Sequence, residues 1–519
     1  MKFWRNNILH LAKIIILSIL DALAVWSATI LFTEHKYIFL SVLIIVTVII
    51  NFVYLSKKTY ALRYILPGTF FMILLVVYPI IYTVYVSFTN YGTGNILTKP
   101  QVINQIENRY YLPEDTKDFN FKAYKIPDQK EYAVLLENEE GKLYLAIDEE
   151  VSEVTKADSR FVDQNNDGKI DMIENYEHLD RAQLFKNLSV LQNLEFFWND
   201  NILKMKSISK FSLYRQQYKY VKAEDKIIDL KNNISYLSKE GSFTSPEGET
   251  LLPGYRANLG WENYLTLFTD SRVSGPFLRV FIWTFEWAIL SVLTTFVLGL
   301  FLAILLNDKT LKFRKFYRVI LILPYALPAF ISVLIWRGLL NTEVGVINQI
   351  LNTLSLQSIP WLQSVFWSRF ALVVINLWLG FPYMMLISLG SLQSISGELY
   401  EAASIDGASA WQRFKFITLP LILVSLGPLL ISSFAFNFNN FNVIYLFNEG
   451  GPPIVGAQTP AGGTDILISY TYRLSFESGR GADFGLASTV SIIIFMITAV
   501  ITWFNFKYTG ALEEVKENV

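Results

Sequence analysis

The chain has 519 residues, 52% of them hydrophobic, a formal net charge of −1 and no cysteine. The balanced charge gives no reason to expect a nucleic-acid partner, and the missing cysteines exclude disulfides and thiolate chemistry. The sequence contains no P-loop, no H-E-x-x-H zinc motif and no nucleophile elbow, and its three histidines do not suggest a metal or acid–base centre. The composition therefore does not favour an enzyme.

Long apolar runs, separated by one long polar block, predict an integral membrane protein. We predict about eight transmembrane helices, over residues 11–32, 38–55, 65–87, 277–306, 316–340, 369–390, 418–446 and 485–505. The first run resembles a signal peptide, but it exceeds about 18 residues and another run follows at once. We therefore interpret it as an uncleaved helix. The predicted fold is an all-α polytopic membrane protein with a large, mixed, β-containing extracytoplasmic domain inserted after the third helix.

Basic residues in the short loops predict the orientation of these helices. They precede the first span and occupy the second-to-third and fourth-to-fifth loops: Lys2, Arg5, Lys13, Lys57, Lys58, Arg63, Lys309, Lys312, Arg314, Lys315 and Arg318. Because such loops stay in the cytoplasm, both termini are expected to be cytoplasmic. The helices are expected to span the plasma membrane. The predicted segments are two helices at 1–60, a third at 61–91, the outer domain at 92–275, further helices at 276–510 and a tail at 511–519.

The outer domain carries two hairpin patterns and a candidate metal loop. Residues 131–148 and 226–238 alternate in polarity around turns, which predicts antiparallel strands. The segment "DQNNDGKIDMIE" fits the spacing of an EF-hand calcium loop, and the residues after it could form the exiting helix. Its candidate ligands are Asp163, Asn165, Asp167, Lys169 (through its carbonyl), Asp171 and Glu174. A polar turn that happens to fit the pattern is the alternative.

Polar residues within two spans predict a binding site. At about 100° per residue, Ser433, Asn437 and Asn440 share one stripe of a helix, which Phe436 borders. The preceding span has a similar stripe of Asn376, Gly380 and Tyr383, with Leu379 beside it. Asn439 and Asn442 are predicted to point away and to hold either neighbouring helices or the outer end of the span.

The chemistry of these stripes suits a neutral sugar. Amides donate and accept hydrogen bonds as sugar hydroxyls do, and aromatic rings pack on sugar C–H faces. A charged substrate would favour charged side chains, and neither stripe carries one. The alternative is interhelical packing, because asparagine also joins membrane helices. Asp21 and Glu286, which also lie within predicted spans, are expected to have structural or interfacial roles.

The segment 398–420 predicts a helix–turn–helix projection. A helix over 398–406, a turn at Gly407 and a second helix over 408–417 follow from the spacing of its residues. An amphipathic surface helix is the alternative on physical grounds alone. The pattern E-A-A, three residues, G, nine residues, I-x-L-P resembles the coupling loop of membrane subunits of binding-protein-dependent ABC importers. The matching residues are Glu401, Ala402, Ala403, Asp406, Gly407, Ile417, Leu419 and Pro420.

The third span and nearly all of the chain from about residue 250 onward resemble the large membrane subunits of maltose/maltodextrin importers, whereas the first two spans and most of the outer domain resemble them only weakly. Examples are "NLWLGFPYMMLISLGSLQSI" and "SFAFNFNNFNVIYLFNEGGP". This resemblance implies a six-helix ABC permease core with two extra N-terminal helices. It implies that both stripes contact the sugar and that the coupling loop docks on an ATP-binding subunit. The implied partners are a second homologous membrane subunit, two copies of that ATP-binding subunit and a soluble maltose/maltodextrin-binding protein. ATP would be bound and hydrolysed only on the partners.

Two alternatives stay open. The same architecture could carry another neutral sugar or oligosaccharide. A membrane-anchored, calcium-dependent sensor or adhesion protein would explain the outer domain but not the coupling loop or the polar spans.

Overall fold

The structure, a computed structural model, describes residues 2–127, 129, 131–148, 150–163, 170–199, 201–308, 310–477 and 481–517. The chain divides into two compact units, Met1–Tyr85 and Val86–Val519. Each is described here by itself.

Apolar helices make up the first unit and continue just past its end. They are α1 (Lys2–Thr33), α2 (Tyr37–Leu55), α3 (Leu62–Met72) and α4 (Tyr78–Ser87), with a π-helical turn at Ile73–Val77 joining the last two. Most large apolar side chains of α1 and α2 that the structure describes are exposed, as expected of helices that face lipid. The two helices are joined by a hydrogen bond from the Asn51 amide to the Asp21 carboxylate at 2.6 Å.

The polar block folds into strands with a few short helices. The helices are α5 (Lys99–Glu107), α6 (Arg181–Lys186) and α7 (Leu188–Leu191). The strands are β1 (Tyr110–Tyr111), β2 (Asp118–Lys125), β3 (Tyr132–Glu137), β4 (Leu143–Ile147), β5 (Glu150–Val154), β6 (Phe161–Val162), β7 (Met172–Ile173), β8 (Tyr176–His178), β9 (Phe196–Trp198), β10 (Asn201–Ser207), β11 (Lys210–Gln216), β12 (Tyr218–Val221), β13 (Lys226–Asp229), β14 (Ile234–Lys239), β15 (Ser242–Thr244) and β16 (Thr250–Leu251).

These strands form two sheets. In the larger sheet β2, β3, β4, β5, β9, β10 and β11 are neighbours in that order, and β11 also pairs with β2, which closes the ring. Closure leaves these strands without free edges. The smaller sheet has the order β12-β13-β14-β15-β16. Both predicted hairpins are confirmed, since β3 pairs antiparallel with β4 and β13 with β14.

The rest of the second unit is helical. Its helices are α8 (Glu262–Thr269), α9 (Ser271–Asn307), α10 (Arg314–Ala326), α11 (Ala329–Leu339), α12 (Val346–Thr353), α13 (Val365–Ser394), α14 (Gly397–Ile405), α15 (Ala410–Arg413), α16 (Leu419–Phe438), α17 (Phe441–Asn448), α18 (Leu467–Phe476) and α19 (Phe484–Glu517). Helices α9 and α13 pack closely at Gly299 of α9. A Cβ atom added there would lie only 2.6 Å from the Cβ of Met384 on α13. The buried core of these helices includes Trp283, Trp287 and Ile375.

The predicted spans are confirmed. Within the part of the chain that the structure describes, seven helices are long and apolar enough to cross a membrane, and α10 with α11 make an eighth if counted as one span. These two helices meet at a bend of 89°. The break lies at Leu327, whose extended backbone (φ −84°, ψ 140°) is the conformation that a following proline favours.

Candidate functional site

One cavity collects the residues of both predicted stripes. Its volume is about 690 Å³, and residues of α9, α10, α11, α13, α16 and α17 line it. The lining contains all eight predicted substrate-contact residues: Asn376, Leu379, Gly380, Tyr383, Ser433, Phe436, Asn437 and Asn440. None of the described residues that line it is Asp, Glu, Lys, Arg or His. The cavity is therefore uncharged, and its polarity comes from amides and hydroxyls.

Two of the amides bind each other across the helix interface. Asn376 of α13 donates from Nδ2 to Oδ1 of Asn437 on α16 at 3.0 Å, and both residues are buried. Asn437 also donates from its own Nδ2 to the carbonyl of Ser433 at 2.8 Å. The packing alternative is therefore realised at this pair, although both residues also line the cavity.

Other polar groups of the cavity are left without a protein partner. Among the described residues, no hydrogen bond reaches the Ser433 hydroxyl or the Asn440 amide. In an otherwise apolar region such groups are stable only with water or a ligand beside them. Phe436 lies between them in the sequence with 70% of its surface exposed, so its ring face is accessible.

A helix break shapes the wall on which Asn440 lies. Helix α16 ends at Phe438, and Asn440 has φ −80° and ψ 74°, outside the helical region. The backbone N–H of Asn440 donates to the Asn437 carbonyl at 3.1 Å, and the buried indole of Trp287 donates to the same carbonyl at 3.0 Å. Two adjacent asparagines favour such a break, because their side chains compete for backbone hydrogen bonds.

The break makes one sequence prediction wrong. Asn442 does not point away from the site, because it lines the same cavity as the stripes. Counting 100° per residue along α16 does not apply to residues beyond its end. Asn439 is absent from the lining, as predicted, and its amide donates to the carbonyl of Ala435 at 3.3 Å, so it holds the end of its own helix rather than a neighbouring one.

Gly380 is explained by packing as well as by the cavity. A Cβ atom added there would lie 2.8 Å from Cγ2 of Thr295 on α9. The space that the glycine leaves is therefore partly filled by Thr295, which also lines the cavity. One helical turn further on, the ring of Tyr383 stacks with that of Tyr325 at a centroid distance of 6.3 Å.

The segment 398–420 forms the predicted projection. Helix α14 ends at Ile405 with Asp406 as its C-cap, and Gly407 adopts φ +77°, which L-residues rarely do. The second helix begins at Ala410, two residues later than predicted, and continues through a π-helical turn at Phe414–Thr418 directly into α16. Five of the eight residues of the matched pattern are exposed, as are the large apolar side chains of Ile405 and Trp411.

Polar contacts join the two limbs of this projection. The Tyr400 hydroxyl lies 2.9 Å from that of the buried Thr418, and Arg413 donates to the Ser404 hydroxyl at 2.8 Å. Because each contact connects α14 to the segment that leads into α16, the projection is braced internally.

Only part of the candidate calcium loop can be compared with the structure. Asn165, Asp167 and Lys169 lie outside the described residues, whereas Asp163, Asp171 and Glu174 lie within them. The predicted exiting helix is wrong: the chain instead forms the antiparallel pair β7–β8, with Glu174 in its turn, and a helix begins only at Arg181. Among the described residues, no group of three or more His, Asp or Glu side chains is arranged to hold a metal ion.

Comparisons with known proteins cover nearly the whole chain. The model of the binding-protein-dependent transport system inner membrane component matches residues 295–509, which include the cavity and the projection. A model of the N-terminal part of the transmembrane subunit in such transporters matches residues 70–149. The maltose/maltodextrin transport system permease protein of Vibrio vulnificus (strain YJ016) is 36% identical over 93% of this chain and 92% of its own. That of Escherichia coli (strain K12) is 34% identical over 98% of both chains.

The chain belongs to the family of maltose/maltodextrin transport system permease proteins. Membership in this permease family makes the chain an inner-membrane component of a binding-protein-dependent transport system, not an enzyme. Among solved structures, a bacterial ABC transporter involved in the import of the acidic polysaccharide alginate is similar, with 26% identity over 49% of this chain and 84% of that one and a TM-score of 0.42.

Several residues that line or support the cavity were not predicted, among them Tyr325, Thr295, Trp287 and Asn442. Tyr325 and Thr295 reach the cavity from helices on which no stripe was predicted, and Trp287 donates to the Asn437 carbonyl from behind the cavity wall. Asn442 carried a signal, since the pair Asn439–Asn440 before it favours a helix end. The other three depend on how distant helices pack, which no local pattern reports.

Proposed function

We propose that this permease forms the pathway for maltose and maltodextrins in an ABC importer. The observation that carries the proposal is the uncharged cavity of about 690 Å³ that contains every residue of both stripes. Cavities of this size are typical of small-molecule sites. The similar permeases are named for maltose and maltodextrins. The uncharged lining of the cavity suits sugars of this kind.

The lining offers a sugar complementary groups. The Ser433 hydroxyl and the Asn440 amide, which lack partners among the described residues, can each donate to and accept from sugar hydroxyls. Tyr325, Tyr383 and Phe436 present ring faces to the C–H faces of the sugar. A charged sugar would leave its carboxylate unpaired in this cavity, which costs several kcal/mol or more.

The Asn376–Asn437 hydrogen bond suggests how the site responds to substrate. In the observed arrangement the two amides satisfy each other at 3.0 Å and connect α13 to α16. A sugar hydroxyl inserted between them would replace that bond by two others and separate the helices. Substrate binding and helix movement would then be coupled, as alternating access requires.

The braced projection is proposed to couple this movement to ATP. Its exposed Glu401, Gly407 and Trp411 would enter a cleft on one ATP-binding subunit, and α16 would transmit closure of the ATP-binding subunits to the cavity. The remaining partners are a second homologous membrane subunit and a soluble maltose/maltodextrin-binding protein. Residues 92–275 would form the extracytoplasmic domain, with both termini in the cytoplasm.

Reconstitution tests this function. The chain, its homologous subunit and the ATP-binding subunits are placed in vesicles with the binding protein outside and ATP inside. We expect uptake of labelled maltose and maltotriose that stops without ATP or without the binding protein. Saturable uptake of a different neutral oligosaccharide instead would support the alternative substrate. Failure to co-purify with any ATPase would contradict the importer and favour a sensor or adhesion protein.

Calcium binding by residues 163–174 stays a prediction of secondary importance. If the loop binds Ca²⁺, the ion would stabilise the outer domain, since residues 163–174 are far in sequence from all residues that line the cavity. Calcium should then raise the melting temperature of the purified permease, and Asp163→Asn should abolish that effect. No response at roughly millimolar Ca²⁺, the weak end for such loops, rejects the site.

A further inference from the structure

The cavity extends beyond the two stripes along α11 and α17. Its lining there consists of Leu327 and Phe330 on one side and Val443 and Leu446 on the other. Asn442 contributes an amide to this otherwise apolar wall. Its side chain is exposed, and no hydrogen bond connects it to another described residue.

The helix break is what turns Asn442 into the cavity. Trp287 and the Asn440 N–H both bind the Asn437 carbonyl, so the end of α16 is fixed. Helix α17 then starts at Phe441, with Asn442 in its first turn. Buried contacts therefore fix the backbone directly before Asn442.

Three other described amides in apolar helices are paired. Asn51 donates to Asp21, Asn376 donates to Asn437, and Asn439 donates to the carbonyl of Ala435. A paired amide serves helix packing or helix ends. Asn442 and Asn440 are different, because each presents an unpaired amide to the same cavity.

We propose that Asn442 forms a further sugar subsite with Phe330 and Leu446, reached by oligosaccharides longer than maltose. The amide would bind a hydroxyl, and the two apolar side chains would cover the C–H face of the same ring. This inference rests on the proposed function. The part of the cavity between α11 and α17 would then determine which oligosaccharide lengths are preferred. The two stripes would bind the glucosyl units that all of these sugars share.

The order of the lining residues supports the division. The lining runs along α16 from Leu429 to Asn437, and Asn442 and Leu446 lie beyond the C-terminal end of that helix. Leu429 and Asn437 alone are eight residues apart in this helix, which at 1.5 Å per residue is about 12 Å. The cavity is long enough for its two ends to contact different rings.

Uptake kinetics of the reconstituted importer test the subsite. Asn442→Ala should raise the KM for maltotriose about fivefold to tenfold, the loss of one or two hydrogen bonds to an uncharged ligand. The KM for maltose should change less than about twofold, and the maximal rates should stay similar. Asn439→Ala is the matched control, because this neighbouring amide lies outside the cavity, and it should affect both sugars equally or not at all.

The outcomes separate this inference from the proposed function. An unchanged maltotriose KM in Asn442→Ala, while Asn440→Ala impairs both sugars, overturns the subsite and leaves the proposed function intact. Absence of maltose uptake by the unmodified importer overturns both. If Asn442→Ala does not assemble, Asn442→Gln keeps the amide but moves it by one methylene. Gln should also raise the maltotriose KM selectively, and equal effects on both sugars reject the subsite.

Discussion

Two pairs of helices in this chain are joined by a buried or half-buried amide, and they differ in what surrounds it. Between α1 and α2, Asn51 donates to Asp21 at 2.6 Å and to the carbonyl of Thr47 at 3.1 Å. Between α13 and α16, Asn376 donates to Asn437 at 3.0 Å. By the hydrogen bond alone, the two pairs would be judged equivalent.

Their surroundings separate packing from recognition. The groove beside Asp21 and Asn51 is otherwise lined by apolar residues and by hydroxyls, and the hydroxyl of Thr47 is bonded within its own helix. The cavity beside Asn376 and Asn437 has additional amides, a free hydroxyl and accessible aromatic rings. An amide in a membrane helix therefore indicates a ligand only where polar groups exceed those that the protein itself can pair.

The largest expected effect is at Asn440. Asn440→Ala removes an unpaired amide, so we expect at least a tenfold loss of maltose uptake, corresponding to about 1.4 kcal/mol, with normal assembly. Asn437→Ala should lose uptake and thermal stability together, because it also leaves Asn376 without its partner. Uptake assays and melting temperatures of the purified complexes measure both. Normal maltose transport by both variants would mean that the stripes are not the site.

A smaller effect on maltose uptake is expected at Trp287, which lies behind the cavity wall. Trp287→Phe keeps an aromatic ring but removes the N–H that binds the Asn437 carbonyl. That carbonyl keeps a second donor, so we expect a loss of only about 0.5–1.5 kcal/mol. If Trp287 positions the break, the KM for maltose should rise several-fold at an unchanged maximal rate. A fall in stability with an unchanged KM would reduce Trp287 to a packing residue.

The contact at Gly380 permits a rescue experiment. Gly380→Ala should impair uptake a few-fold, because the new methyl group would overlap Cγ2 of Thr295, and overpacking of this kind costs about 1–3 kcal/mol. Adding Thr295→Ser removes that methyl group and keeps the hydroxyl that donates to the Ser291 carbonyl. Uptake should then recover. A double variant as impaired as Gly380→Ala would show that the glycine is needed for the substrate itself.

The smallest effect is expected in the N-terminal helices. Asn51→Leu should lower the melting temperature slightly, since interhelical hydrogen bonds in membranes contribute about 0.6 kcal/mol on average. The KM and maximal rate of maltose uptake should stay within about twofold of those of the unmodified importer. A KM change as large as that of Asn440→Ala would overturn the distinction drawn between the two pairs.

The parts of the site that followed from sequence are those on unbroken helices. Asn376, Gly380 and Tyr383 lie on the continuous α13, and Ser433 and Asn437 lie on α16 before its end, so helical periodicity placed them correctly. It failed for Asn442, which lies beyond the interruption that ends α16. Asn440, at the interruption itself, lines the cavity as predicted.

Long-range pairing accounts for most of the fold that sequence did not predict. Local alternation identified β3–β4 and β13–β14, but the ring is closed by β11 pairing with β2, whose residues Phe211 and Phe119 are far apart in the chain. The strand pair at β7–β8 replaced an expected helix for the same reason, since β8 is held by pairing with β2. Tyr325 lies next to the 89° bend between α10 and α11. A proline in the sequence predicts that a helix bends but does not specify the direction of the bend.

Helix α16 begins at Leu419, where the braced projection ends, and it stops at Phe438, beside the cavity amides. Its 20 residues span about 30 Å at 1.5 Å per residue. A single helix thus connects the projection, on which the ATP-binding subunits would act, to the hydrogen bond between Asn376 and Asn437. A small tilt at its lower end becomes a change in the distance between two amides at its upper end.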